Sequence, residues 1–294
     1  MGLLDGRVAI VTGAGRGLGR AHALTLAAAG AHIVVNDLGP TQGPNPAEAV
    51  VEEILVTGGS AVANGDSVSD WSAAGRIVGQ AVDTFGRLDA VVNNAGITRD
   101  KMIFSSSEDD FDATIAVHLK GTYAMTHHAA AHWRERVKSG ETVSGRIVNT
   151  VSGTGMFGNV GQSAYAAAKS GIIGLTLATA LELRRYAVTV NAISPLARTD
   201  MTAGLLPAAP ESGFDELAPE NSSGVVAYLA SLESGWLTGQ ILRVEGDRVV
   251  RMQPWTADRS YTSRDGTALT SEELVDGVPL LYGTMPGGVT TLQK

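Results

Sequence analysis

Thr12-Gly13-Ala14-Gly15-Arg16-Gly17-Leu18-Gly19 is the stretch that decides the fold. The run before it, residues 7–12, is apolar and of strand length, and residues 17–29 after it carry a helical pattern that Gly30 closes where a left-handed C′ residue sits. A strand that turns on glycines into a helix aims backbone N–H groups and a helix N-terminus at one point, which suits a diphosphate. The spacing Gly13-x-x-x-Gly17-x-Gly19 differs from the common G-x-G-x-x-G fingerprint.

Outward from this turn, short apolar runs alternate with longer helical patterns. Strands are expected near residues 31–36, 60–64, 88–93, 146–151, 187–193 and 240–244, and helices near 46–57, 70–85, 108–137, 163–185 and 223–231. Runs that are apolar throughout suit strands covered on both faces. The order predicts an α/β fold, a doubly wound (Rossmann) parallel sheet of about seven strands, spanning residues 1–250. Residues 39–46, rich in Pro and Gly, are expected to loop near the adenosine end of the cofactor. From Asp247 to Lys294 the chain lies past the last expected strand, and its Arg251, Pro254, Trp255 and Tyr261 show no periodicity. Residues 251–294 are therefore read as a C-terminal tail that packs on the body or on a neighbouring subunit.

With 294 residues the chain can bury a large core, and its net charge of −8 and pI near 5.2 argue against a nucleic-acid partner. The absence of cysteine excludes disulfides, thiolate nucleophiles and zinc-thiolate sites, and suits a cytoplasmic protein. No secretory leader is expected, because Val8 to Val11 is a strand-length run ending in the glycine turn. Met1-Gly2 is not read as a myristoylation signal, since position six is Gly6. No apolar stretch is expected to reach the roughly 18–20 residues that span a bilayer, so no membrane association is expected.

Chemistry concentrates in Tyr165 and Lys169, which a helix stacks four residues apart, with Ser152 thirteen residues upstream. An ammonium beside a phenol favours its ionised form, and such a phenol can exchange a proton with an alcohol near neutral pH. Asp37, eighteen residues after Gly19, ends the second expected strand, where a carboxylate accepts ribose hydroxyls and repels a 2′-phosphate. NAD is therefore the expected cofactor, NADP being favoured only by Arg16 in the turn. His128 and His132 have a zinc-compatible spacing but lack a third ligand at supporting spacing, so no metal site is expected.

The turn T-G-x-x-x-G-x-G, the run Asn93-Asn94-Ala95-Gly96, Ser152 with Y-x-x-x-K at Tyr165 and Lys169, and Asn191-Ala192-Ile193-Ser194-Pro195 together resemble the short-chain dehydrogenase/reductase family over roughly residues 5–246. The resemblance implies hydride transfer between a secondary alcohol and a ketone. It makes Tyr165 the general acid/base, Ser152 the hydrogen-bond partner of the substrate oxygen, and Lys169 a group that favours the phenolate and grips the nicotinamide ribose. Cofactor contacts follow for Gly13, Arg16, Gly17, Leu18 and Gly19 at the diphosphate, and for Asp37, Asp66, Ser67, Asn93, Ala95 and Gly96 at the adenosine half. Tyr165, Lys169, Pro195 and Thr199 complete the implied set. Leu196 departs from the family's Pro-Gly, and residues 202–222 are expected to form a mobile lid. His118 stands where the family usually has asparagine, a residue that helps hold a water linking the lysine to solvent. Imidazole titrates near neutrality, so His118 is a relay candidate beside a purely packing role. On the relay reading, His118→Leu lowers kcat and alters its pH profile.

Within the family, Val35-Asn36-Asp37-Leu38-Gly39, Ile97 with Arg99-Asp100, Val117-His118-Leu119-Lys120-Gly121 and Gly158-Asn159-Val160-Gly161-Gln162 are most similar to (3R)-hydroxyacyl-CoA dehydrogenase domains of multifunctional β-oxidation enzymes and their free-standing bacterial relatives. That similarity implies a small-molecule substrate of lipid metabolism, a 3-hydroxyacyl-CoA oxidised to the 3-oxo form. Ketoreductases for carrier-bound acyl chains and hydroxysteroid dehydrogenases are the alternatives, since the fold alone does not choose. A dinucleotide-binding sensor is the non-enzyme alternative, against which Ser152, Tyr165 and Lys169 all argue. Arg99, Lys101 and Arg198 are the candidate cations for CoA phosphates. The long helix 108–137 joins subunits in the family, implying a homodimer or homotetramer.

Overall fold

The computed structural model describes residues 2–40, 42–202, 206–253, 255–263, 266 and 268–282. The chain divides into two compact units, Met1–Met252 and Gln253–Lys294. In the first, β1 (Val8–Thr12), β2 (His32–Asn36), β3 (Ser60–Asn64), β4 (Ala90–Asn93), β5 (Arg146–Thr150), β6 (Thr189–Leu196), β7 (Ile241–Glu245) and β8 (Arg248–Met252) form one sheet in the order β3-β2-β1-β4-β5-β6-β7-β8. The pairings from β3 to β7 are parallel, and β8 runs antiparallel to β7. β1 lies between β2 and β4, so the strand order reverses there and a crevice opens beyond the strands' C-terminal ends.

The apolar runs feed two layers. Ala9 and Val11 of β1 pack in one layer with Ile33, Val35, Val92 and Val226, while Val8 and Ile10 pack in the other with Val34, Val91, Ile77 and Met125. A period of two therefore needs apolar residues at every position, because both faces are covered. The first layer uses α1 (Gly17–Ala28), α2 (Pro46–Val56) and α8 (Ser223–Ala230). The second uses α3 (Trp71–Phe85), α5 (Gly121–Lys138) and α7 (Ser163–Leu183).

Local chemistry sets the helix ends. Asn45 caps α2 by accepting from the Ala47 amide, with Pro46 at the first helical position. Asp70 caps α3, and Gly86 closes it at φ 78°. Ser107 and Asp110 form a capping box at α4 (Glu108–Ile115).

The expected sheet of about seven strands is present and, among the described residues, has eight, because residues 248–252 add β8 past the last one expected. Three expectations need correction. The expected helix 108–137 is α4, a π-helical segment Ala116–Lys120, and α5 in succession. The second unit contains α9 (Ser271–Tyr282) where no periodicity was read, and Pro254 lies outside the described residues, as does Thr41 of the 39–46 loop. Finally, the helical run Ser163–Tyr186 is long and apolar enough, by length and composition, to cross a membrane. Its Ala168, Ile172, Ile173 and Ala180 are nonetheless buried against the protein's own core.

Candidate active site

The glycine turn and the end of β4 meet in the crevice. A Cβ on Gly19 would lie 2.0 Å from the Gly13 carbonyl oxygen, and one on Gly13, itself at φ 63°, would lie 2.7 Å from the Ala95 Cα. Only glycine permits both approaches. Asn94 fastens this junction: its side-chain amide donates to the carbonyls of Thr12 (3.0 Å) and Gly13 (3.1 Å). Thr12 Oγ1 in turn accepts from the Asn94 and Ala95 amides at 3.0 and 3.1 Å. Gly96 makes room for His118, whose Cε1 a Cβ would approach to 2.4 Å.

Asp37 stands at the end of β2 with its carboxylate turned onto the glycine turn. Its Oδ2 accepts from the Gly15 amide at 2.9 Å and its Oδ1 from the Gly39 amide at 3.1 Å. Arg16 is exposed and faces Asp200 at 3.8 Å rather than Asp37. Asp66 pairs with Arg76, and its amide donates to Asn64 Oδ1 at 2.9 Å. Asn36 donates to that same oxygen at 2.8 Å, so the two asparagines that end register-paired β2 and β3 seat Asp66. Ser67 lies beside it with its hydroxyl 2.8 Å from that of Ser69.

Ser152 caps α6 (Gly153–Phe157), a helix too short to have been read from sequence, and accepts from the Thr154 amide at 3.2 Å. Its side chain faces Tyr165, on the first turn of α7, closely enough to lower the phenol. Lys169 is buried, donates to the Thr150 carbonyl at 2.7 Å, and has its Nζ 5.5 Å from the centre of the Tyr165 ring. Helical spacing thus stacks Tyr165 and Lys169 on α7, and the end of β5 brings Ser152 to the same place. Burial brings the Lys169 ammonium down to about 7. Burial also raises the Tyr165 phenol, partly offset by the Ser152 hydrogen bond and reinforced by the charge of Asp100. The expected depression of the phenol by Lys169 is therefore outweighed here, because desolvation acts on both groups.

His118 lies in the π-helical segment, 1% exposed, with its ring edge-on to Tyr165 at 5.1 Å and 87°. Nε2 sits 2.8 Å from the Ile97 carbonyl oxygen and 3.1 Å from the Ile97 amide nitrogen. One nitrogen can serve only one of these at a time, and the shorter contact places the proton on Nε2. Nδ1 is then a buried acceptor with no partner among the described residues. Burial, aided by the charge of Lys169 and opposed by the Ile97 hydrogen bond, lowers the imidazole to about 3. Desolvation thus holds the His118 imidazole below the neutral range that a titrating relay would use, which favours the packing role.

Sequence reasoning missed a buried polar chain behind the site. Asn93 Nδ2 donates to Asn149 Oδ1 at 2.9 Å, and Asn149 Nδ2 donates to Thr176 Oγ1 at 2.9 Å, joining β4, β5 and α7. Its one available signal was the polar residue ending each of two apolar runs.

Two of the three candidate cations are engaged elsewhere. Lys101 pairs with Asp110 at 2.7 Å, and Arg198 pairs with Asp215 at 2.7 Å while its Nε donates to the Pro207 carbonyl. Arg99 is exposed. Pro195 and Leu196 continue β6 in extended pairing with Val244 and Glu245, so glycine is not required at Leu196. The Thr199 amide donates to Thr202 Oγ1 at 2.8 Å. Of the expected lid 202–222, residues 203–205 lie outside the described residues. His128 Nε2 lies 2.9 Å from the Trp71 carbonyl oxygen, and no cluster of three metal-capable side chains occurs among the described residues.

Residues 7–209 match the family described as short chain dehydrogenase. The chain is 46% identical over 280 residues to the hydroxyacyl-CoA dehydrogenase ChsB1 of Mycobacterium tuberculosis, covering 92% of this chain and 87% of that one. It is 44% identical over 230 residues to the peroxisomal multifunctional enzyme type 2 of Drosophila melanogaster, covering 76% of this chain and 36% of that protein. The crystal structure of a short chain dehydrogenase from Mycobacterium avium is similar with a TM-score of 0.89 at 48% identity, covering 99% of both chains.

Proposed function

This chain belongs to the short chain dehydrogenase family, an oxidoreductase acting on CH–OH groups, and from that premise we propose that it oxidises a 3-hydroxyacyl-CoA to its 3-oxo form with NAD. The observation that carries the chemistry is the convergence of Ser152, Tyr165 and Lys169 beside the glycine turn. Bound NAD supplies the hydride acceptor and, in its oxidised form, a positive charge. Tyr165 takes the hydroxyl proton as the carbon's C–H bond gives up its hydride, and Ser152 holds the oxygen as it becomes a carbonyl. Lys169, whose Nζ already lies beside the ring, is placed to hold the ribose and favour the phenolate.

The acyl-CoA reading is supported by the name of the Mycobacterium tuberculosis relative, which spans most of this chain. The NAD reading is supported by Asp37, whose carboxylate would oppose a 2′-phosphate carrying nearly two negative charges. Subunit pairing is supported by an apolar groove of about 370 Å³ between α5 and α7, lined by Tyr123, Ala130, Leu175, Ala178 and Tyr186 among others.

A panel of 3-hydroxyacyl-CoAs, hydroxysteroids and simple secondary alcohols, assayed with NAD and with NADP, tests the proposal. Turnover confined to thioesters with NAD preferred is expected. Activity on free alcohols without any on thioesters overturns the substrate, and comparable kcat/KM for NADP overturns the cofactor.

A further inference from the structure

β7 carries a charged side chain into the layer that holds the site. Ile241 packs with Val151, Ile172 and Ile173, while Leu242 packs against the opposite layer. Arg243, two residues beyond Ile241, therefore shares the face of α6 and α7. A Cβ built on Gly153 would fall 2.9 Å from Arg243 Nη1, so the guanidinium rests against the residue that follows Ser152 and begins α6. Glu245, on the same face of β7, binds Arg243 Nε, and the two side chains are only 21% and 30% exposed. The β7–β8 hairpin holds this pair: Arg243 is in register with Val250, and Arg248 Nη1 approaches Glu245 at 3.9 Å.

We propose that Arg243, aimed by Glu245, is a positioning residue that braces the Ser152–Gly153 turn and thereby keeps the Ser152 hydroxyl on Tyr165 and the substrate oxygen. The proposal rests on the reading of Ser152 as the partner of that oxygen. α6 has five residues, too few to hold itself by helix formation alone, so an external support has work to do there. Direct electrostatics is not the route, since the forces that move the Tyr165 phenol are burial, Ser152 and Asp100.

Two measurements separate this role from simple stabilisation. In the first, Arg243→Leu is made in wild-type and Ser152→Ala backgrounds, and kcat and the affinity for NAD are compared. A brace acting through Ser152 lowers kcat about tenfold in the wild type, changes it less than about twofold in Ser152→Ala, and leaves NAD affinity unchanged in both. An equal loss in both backgrounds, or no loss in the wild type, overturns the proposal. The second measurement needs no substrate: ultraviolet difference titration of the phenol, assigned with Tyr165→Phe. Loss of the Ser152 hydrogen bond raises the phenol, so Arg243→Leu should move its titration upward as Ser152→Ala does. A titration unmoved by Arg243→Leu overturns the proposal. Should Arg243→Leu fail to fold by circular dichroism, Glu245→Gln keeps the guanidinium but releases its aim, and a smaller loss in the same direction is expected. Failure of the wild type on every 3-hydroxyacyl-CoA would overturn the proposed substrate while the phenol titration still decides the brace.

Discussion

Tyr165→Phe removes the oxygen that accepts the proton while leaving the ring against His118. Losing such an acid/base costs about 10²–10⁴ in rate, so kcat should fall by that range with NAD affinity close to normal, as steady-state kinetics and calorimetry would show. Lys169 makes a second, substrate-free prediction. Its buried amine titrates at about 7 instead of the ordinary 10.5, so in that window the unfolded chain binds a proton that the folded chain does not. Stability of the unliganded protein should rise with pH across the window, contributing about 2 kcal/mol between pH 7 and pH 9. Urea denaturation of Lys169→Met, which cannot titrate, should lack that rise; an identical rise in both proteins would refute the burial argument. Tyr165 and Lys169 were legible because a spacing of four on one helix fixes a contact by geometry alone, whereas Ser152, on another element, was reached only through the family resemblance. Asn93, Asn149 and Thr176 were not, since their contacts join three elements far apart in sequence and depend on which strands become neighbours.

Elements show the same division. β1, β2 and β4 were legible as continuous apolar runs because helices cover both faces. β8 was not: Arg248, Val249, Val250, Arg251 and Met252 form an edge strand with three exposed residues and no burial to impose a pattern. The π-helical turn Ala116–Lys120 was hidden for another reason, since its residue types suit an α-helix and only the packing of His118 against Ile97 and Tyr165 reveals the widened turn. π-bulges often mark functional sites, and this one sets a neutral imidazole edge-on to Tyr165. His118→Leu should lower kcat about tenfold by releasing Ile97, and His118→Gln should recover part of it by offering an amide to the same groups. The limbs of the pH profile should stay in place in His118→Leu, because a group titrating at about 3 cannot shape them near neutrality. A limb displaced in that variant would restore the titrating relay.

At the scale of the whole molecule, α7 is more apolar than its place in one subunit requires. Its inner side meets the sheet through Ile172, Ile173 and Ala180, yet Leu181 is 78% exposed and Leu175 and Ala178 line the open groove with α5. A helix apolar on more than one face is covered on more than one face. The same helix carries Tyr165 and Lys169, so a neighbour packed along the groove would stiffen the element on which these two side chains stand. Membrane insertion is a poorer account of that apolarity, because the buried ammonium of Lys169 and its bond to Thr150 belong to the folded interior. A second copy of this chain is the proposed cover. Ala178→Arg places a long charged side chain in the groove, where it would block close packing and have to be desolvated, and the assembly should fall apart into monomers. Light scattering at micromolar concentration is expected to give a dimer or tetramer for the wild type and a monomer for Ala178→Arg. A monomeric wild type would overturn the proposed pairing, and a variant that keeps the wild-type mass would place the subunit contact elsewhere.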